Sequence, residues 1–247
     1  MHRPCDTGFL HKPGSAAFIV IFLWVSLALA GAARAASPLD TSFGSGGKVF
    51  TDFSHYRDVV YDMAVQPDGK IVAVGVATLV SSGVQTTKFG LARYNSDGTL
   101  DNSFGADGRV STDFPNIEDV AYGVALQPDG KIVVVGSTFN TDTADFAIAR
   151  YNSNGTLDNT FGSGGKVIVD FATRRDEARA VVIQPDGKIV IGGSAVVNGG
   201  LGFALDFALV RLNGDGSFDN TFDGDGKLTT NIPGPGSPVL NNHSPFL

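Results

Sequence analysis

Short apolar runs separated by Gly- and Asp-rich punctuation fill residues 39–232, and they return in a fixed order. Gln66-Pro67-Asp68-Gly69-Lys70-Ile71-Val72 reappears letter for letter at 127–133 and 184–190, and a second marker, Phe43, Phe104, Phe161 and Phe222, steps by 61, 57 and 61 residues. Each period holds four runs of strand length. Strand A (58–66, 119–127, 176–184) alternates large and small side chains, as Tyr122, Val124 and Leu126 do against Gly123 and Ala125. Strand B (70–78, 131–139, 188–195) is apolar on both faces and reads as buried between two layers. Strand C (88–95, 145–152, 206–213) has Phe at its second position (Phe89, Phe146, Phe207) and Arg at its sixth (Arg93, Arg150, Arg211). Strand D (48–53, 109–114, 166–171, 227–232) is more polar and opens on Lys or Arg, as suits an outer edge that must avoid stray pairing.

Gln-Pro-Asp-Gly forms the A-to-B turn: Pro presets φ, Asp bonds its own backbone and Gly supplies a positive φ. The expected fold is therefore all-β, with three four-stranded antiparallel blades of propeller type plus one extra N-terminal strand at 48–53. Such units bury their faces only against neighbours. Gly makes up 32 of the 247 residues, about 13% against an ordinary share of roughly 7%, and recurs in the turns.

Residues 1–35 are expected to be a signal peptide. Arg3, His11 and Lys12 precede an apolar run at 16–30, and Ala33-Arg34-Ala35 places small residues at a cleavage site. The expected location is thus secreted, periplasmic or cell-surface, with no membrane attachment once processed. The repeat array then spans 36–232, and 233–247, with its Gly-Pro-Gly-Ser-Pro run, reads as a disordered tail. Cys5 is the sole cysteine, so the processed chain has no disulfide or thiolate chemistry. Processing changes 18 cations against 25 carboxylates into 15 against 24, a formal charge of −9 without a basic cluster, which argues against nucleic acid and anionic lipid as partners.

The Leu-Asp-x-Ser/Thr-Phe-Gly-x-x-Gly-Lys/Arg-Val landmark, beginning at Leu39, Leu100 and Leu157, together with Gln-Pro-Asp-Gly-Lys-Ile-Val and Phe-Ala-x-Ala-Arg-Tyr-Asn, resembles the delta-60 repeat of bacteria. The resemblance covers residues 39–232 and implies β-propeller blades and export, with no catalytic residues to carry over. The last copy departs from it, with Phe218 and Asp223 replacing Leu and Gly, and Asn231-Ile232 replacing Asp-Phe. Closed propellers use about four to eight blades. The array accordingly reads as an open arc, as a fragment of a longer array, or as half of a homodimer that closes a ring of about six blades.

Candidate chemistry is sparse. Asn95-x-Asp97-x-Thr99-x-Asp101 and its two copies alternate oxygens like a calcium loop, but Leu100, Leu157 and Phe218 stand where Gly is required, which favours Asx turns. A weak calcium candidate remains at Asp215, Asp219, Asp223 and Asp225; no other metal or cofactor is expected. Arg93, Arg150 and Arg211, each matched by one of Asp52, Asp113 and Asp170, read as structural ion pairs between blades. His55 is the one histidine available to a triad, and no nucleophile elbow or phosphate loop occurs, so no catalytic residue is assigned and an extracellular hydrolase or lyase is the alternative. The A-to-B and C-to-D turns are nearly identical between copies, whereas the B-to-C loops (79–87, 140–144, 196–204) and the D-to-A loops (54–57, 115–118, 172–175) differ. That individual edge, with His55, Tyr56, Arg57, Glu118, Arg174, Arg175, Asp176 and Glu177, is the expected binding face for a protein or glycan.

Overall fold

A computed structural model of the chain describes residues 39–81, 83–171, 175–199 and 202–230. The signal peptide and tail expected at 1–35 and 233–247 lie outside the described residues, as does Arg174. Among the described residues all regular structure is strand: β1 (Val59–Val65), β2 (Ile71–Ser81), β3 (Val84–Tyr94), β4 (Arg109–Thr112), β5 (Glu118–Leu126), β6 (Ile132–Phe139), β7 (Ala144–Tyr151), β8 (Lys166–Val169), β9 (Asp176–Ile183), β10 (Ile189–Gly199), β11 (Gly202–Leu212) and β12 (Lys227–Thr230). They form three antiparallel meanders, β1–β4, β5–β8 and β9–β12, which are the A, B, C and D strands in order. Single parallel bridges, Thr87 with Glu118 and Ala144 with Arg175, stitch successive blades.

The B strands are apolar on both sides because each blade is sandwiched. From β2 and β3, Val72, Val74, Phe89 and Leu91 point forward into a core completed by Ile132, Val134, Ala147, Ala149 and Tyr151 on the rear of the second blade. One blade later Val133, Val135, Phe146 and Ile148 meet Ile189, Ile191, Ala208, Val210 and Leu212. The alternation along each strand thus serves two neighbours rather than core and water.

Residues 48–53 differ from expectation. Twelve strands complete the three blades, and this segment carries only an isolated bridge between Gly44 and Lys48. A D strand takes its ladder from the C strand of its own blade, as β4 does from β3, and among the described residues no C strand precedes residue 48. The segment nevertheless lies where a D strand belongs. Thr51 Oγ1 is 2.6 Å from Tyr94 Oη, matching the Tyr151 hydroxyl donating to Thr112 Oγ1 at 2.7 Å. The Phe53 N–H donates to Asp58 Oδ2 at 2.8 Å, as Phe114 N–H does to Asp119 and Phe171 N–H to Asp176.

Each A strand also breaks register at the same place. Tyr61, Tyr122 and Arg179 are extra residues in β1, β5 and β9, bulged opposite Val74–Gly75, Val135–Gly136 and Gly192–Gly193 of the adjoining B strand. The bulge forces close backbone approach: a Cβ on Gly75, Gly136 or Gly193 would lie 1.8, 1.9 or 2.0 Å from a carbonyl oxygen of the A strand. Gly193→Ala is therefore expected to lower stability by about 2–4 kcal/mol, in the range of severe overpacking. Its neighbour Gly192, whose Cβ would meet only the Leu209 Cδ2 atom at 3.3 Å, should tolerate alanine within about 1 kcal/mol. Denaturant midpoints of the two variants provide the comparison.

Candidate functional site

The standardised edge is built from the same hydrogen bonds three times. The Gln66 N–H donates to Lys70 O at 2.8 Å and the Gly69 N–H to Gln66 O at 2.9 Å, with the same pair at Gln127–Lys131 and Gln184–Lys188. In the C-to-D turns Asp97 Oδ1 accepts the N–H and hydroxyl of Thr99, Asn154 those of Thr156, and Asp215 those of Ser217. The alternating oxygens thus form Asx turns. Asp219 Oδ1 takes the Thr221 N–H and hydroxyl while its Oδ2 takes Lys188 and Arg211, and Asp225 takes the Lys227 N–H at 2.9 Å. Asp223 is set apart by a φ of 50°. These bonds commit four of the eight carboxylate oxygens of the calcium candidate, both of those on Asp219 among them, to the protein itself.

The Arg ion pairs form with partners other than those expected. Arg93 Nε donates to Asp101 at 2.7 Å, Arg150 to Asp158 at 2.8 Å and Arg211 to Asp219 at 2.6 Å, each eight residues downstream in the same blade. The guanidiniums also lie 4.6, 4.5 and 4.8 Å from the ring centroids of Phe104, Phe161 and Phe222. Lys70, Lys131 and Lys188 add a second cation to each carboxylate. For Asp158, burial is overcome by the Thr160 hydroxyl and N–H, Arg150 and Lys131, which hold the carboxyl down to about 2. The link between blades is a different bond: Arg93 Nη1 donates to Ser153 O and Arg150 Nη1 to Gly214 O on the next turn.

At the individual edge the B-to-C connections of the outer blades are hairpin arms rather than loops. β2 and β3 run 11 residues each, as do β10 and β11, whereas β6 and β7 have 8 and are joined by a turn in which Asn140 N–H donates to Thr143 O. Arg57, Glu118 and Arg175 occupy equivalent exposed positions just before the buried or half-buried carboxylates of Asp58, Asp119 and Asp176. His55 (φ 64°) and Tyr56 are exposed, and His55 Nδ1 pairs with Asp52 across a tight turn. Asp176 does not face outward: it is fully buried and accepts the Phe171 N–H. Glu177, half-buried, pairs with Arg179.

Along the inner margin the three bulged residues stack. Tyr61 and Tyr122 have ring centroids 5.1 Å apart, and the Arg179 guanidinium lies 3.9 Å from the Tyr122 centroid. Burial pushes the Tyr122 hydroxyl above its ordinary pKa. Sequence reading placed these residues on one strand face without bringing them together. The glycine recurring at the sixth position of every B strand, Gly75, Gly136 and Gly193, was the available signal for a bulge.

Sequence reading also missed a carboxylate cluster between the second and third blades. Asp145, Asp170 and Asp176 offer oxygens all within 4.8 Å of one another, the donor type a hard cation prefers. The preceding junction has Lys88 in place of Asp145, and its Nζ sits 3.3 Å from Asp113. Burial, then Asp170 and Asp176, pushes Asp145 up to about 6.

Three stretches, 66–104, 127–161 and 184–222, match the family model described as "Domain of unknown function (DUF5122) beta-propeller". This is a repeat-propeller family related to the expected resemblance, and it supports a β-propeller repeat without the delta-60 name. The comparison with curated proteins finds no match.

Because Asp145 keeps its proton more readily in the fold than in the unfolded chain, its favourable contribution is complete below about pH 4 and disappears as pH rises through about 6. Asp145→Asn, which mimics the protonated acid, should raise the unfolding midpoint at pH 7.5 by the equivalent of about 1 kcal/mol, after allowance for solvent screening, and leave it nearly unchanged at pH 4. Thermal melts across that range check the sign.

Proposed function

We propose that the chain is an exported, non-catalytic repeat scaffold that binds a protein or glycan partner through the edge carrying its B-to-C arms and D-to-A loops. One observation carries the reading: three Gln-Pro-Asp-Gly turns repeat bond for bond at one edge, while the opposite edge presents two long arms, one short turn and an Arg57, Glu118, Arg175 series of alternating charge. Variation confined to loops on a rigid frame is how repeat scaffolds build individual recognition surfaces. The Tyr61–Tyr122–Arg179 stack extends that edge inward with aromatic faces and a cation, both suited to sugar rings or peptide side chains.

Replacing residues 79–87 with the short 140–144 connection, and separately substituting Tyr61 and Tyr122 with serine, should each lower binding at least tenfold for partners detected on a mixed array of glycans and surface proteins. Asp68→Ala at the standardised edge should leave the same signals intact. An unchanged binding profile after both changes at the individual edge would rule the reading out.

A further inference from the structure

Among the described residues the two ends of the array are bare in complementary ways. Val182, Leu205 and Phe207 project forward from the third blade with 59, 68 and 62% exposure. The equivalents of Phe207, Phe89 and Phe146, are completely buried by the blade that follows them. At the other end Met63 and Val65 project to the rear of the first blade with 62 and 64% exposure, while their equivalents Val124 and Leu126, and Val181 and Ile183, pack into the blade before them. Arg211 shows the same incompleteness. Among the described residues no following turn supplies the carbonyl that Ser153 gives to Arg93 and Gly214 gives to Arg150; the corresponding carbonyl of the first blade belongs to Ser96.

The segment Gly44–Phe53 decides how two such ends fit. An internal D strand makes two sets of bonds, a ladder to its own C strand and contacts to the next blade. This segment already has the second set: Gly44 N–H to Asp97 O at 2.7 Å, Thr51 to Tyr94, and Phe53 N–H to Asp58. The internal counterparts of the first are Gly105 to Asn154 and Gly162 to Asp215, both at 2.8 Å. Among the described residues only the ladder is missing. It also carries the aromatic ring that the forward face of the third blade lacks. Phe114 packs on Phe89 at 4.9 Å and Phe171 on Phe146 at 5.1 Å, while the last repeat has Ile232 at that place and the first segment has Phe53.

We propose that the forward face of the third blade receives a second copy of this chain. The partner's residues 48–51 displace β12 from β11 and take over its register, and the rear of the partner's first blade covers Val182, Leu205 and Phe207. Two such junctions close two chains into a ring of about six blades, within the range of closed propellers. The individual edges of both copies stay open, so the assembly does not depend on what they bind.

Sedimentation of the full chain carrying Cys5→Ser should give the mass of two copies at about 100 µM, and Phe207→Asp should weaken association at least tenfold without lowering the melting temperature of the single chain. The register pairs Leu209 with Leu228 in the isolated chain and would pair Leu209 with the partner's Val49 in the ring. A Val49→Cys, Leu209→Cys variant should therefore oxidise to covalent dimers. A single-chain mass at that concentration, an open-ended series of masses, or a Leu209→Cys, Leu228→Cys variant that closes quantitatively within one chain while remaining dimeric would overturn the proposal.

Discussion

The outer strands β4 and β8 each belong to two blades. β4 is hydrogen-bonded along its length to β3, yet Thr112 meets Tyr151 and the Phe114 N–H meets Asp119 in the blade beyond. The rest of the architecture follows from that double membership. With the outer strand fixed to both sheets, the forward Val and Phe side chains of one blade are brought against the rear Ile, Ala and Tyr of the next, and the Arg guanidinium reaches a turn carbonyl it could not reach in an isolated sheet. A single blade would expose both apolar faces of its B strand, so the blades stand only as neighbours.

The Arg–Asp–Lys clusters show how charge is accommodated in this frame. Each carboxylate receives two cations and the N–H and hydroxyl of the residue two positions on, so its lone pairs are occupied and the usual cost of an incompletely paired buried ion is avoided. The junction carboxylates are handled less uniformly. Lys88 neutralises one site, while its counterpart Asp145 brings a third acid close to two others, an arrangement that disfavours full ionisation.

Strand order, turn positions and the all-β class were readable in the sequence because the repeats multiply weak local signals: a Gln-Pro-Asp-Gly turn between two apolar runs is persuasive once and compelling in triplicate. Partners across space were not. Asp101 and Asp113 are both once-per-repeat acids near a once-per-repeat Arg, and recurrence alone does not tell which carboxylate the chain folds back onto Arg93. The same holds for residues 48–53, whose strand-like pattern is genuine but whose ladder depends on a partner strand, and for Tyr61, Tyr122 and Arg179, which an unnoticed bulge turns toward one another. At the individual edge, Asp176 reads as one more loop charge, although its position after an exposed Arg mirrors the buried Asp119 after Glu118.

The repeating unit of the sequence, from landmark to C strand, is out of phase with the blade as a folded object. A tandem duplication of that stretch therefore delivers the outer strand of one sheet together with the inner three strands of the next. Lengthening the gene by one unit would insert its own fastening along with the new surface, so an array of this kind can grow or shrink by recombination without ever having to evolve a fresh junction.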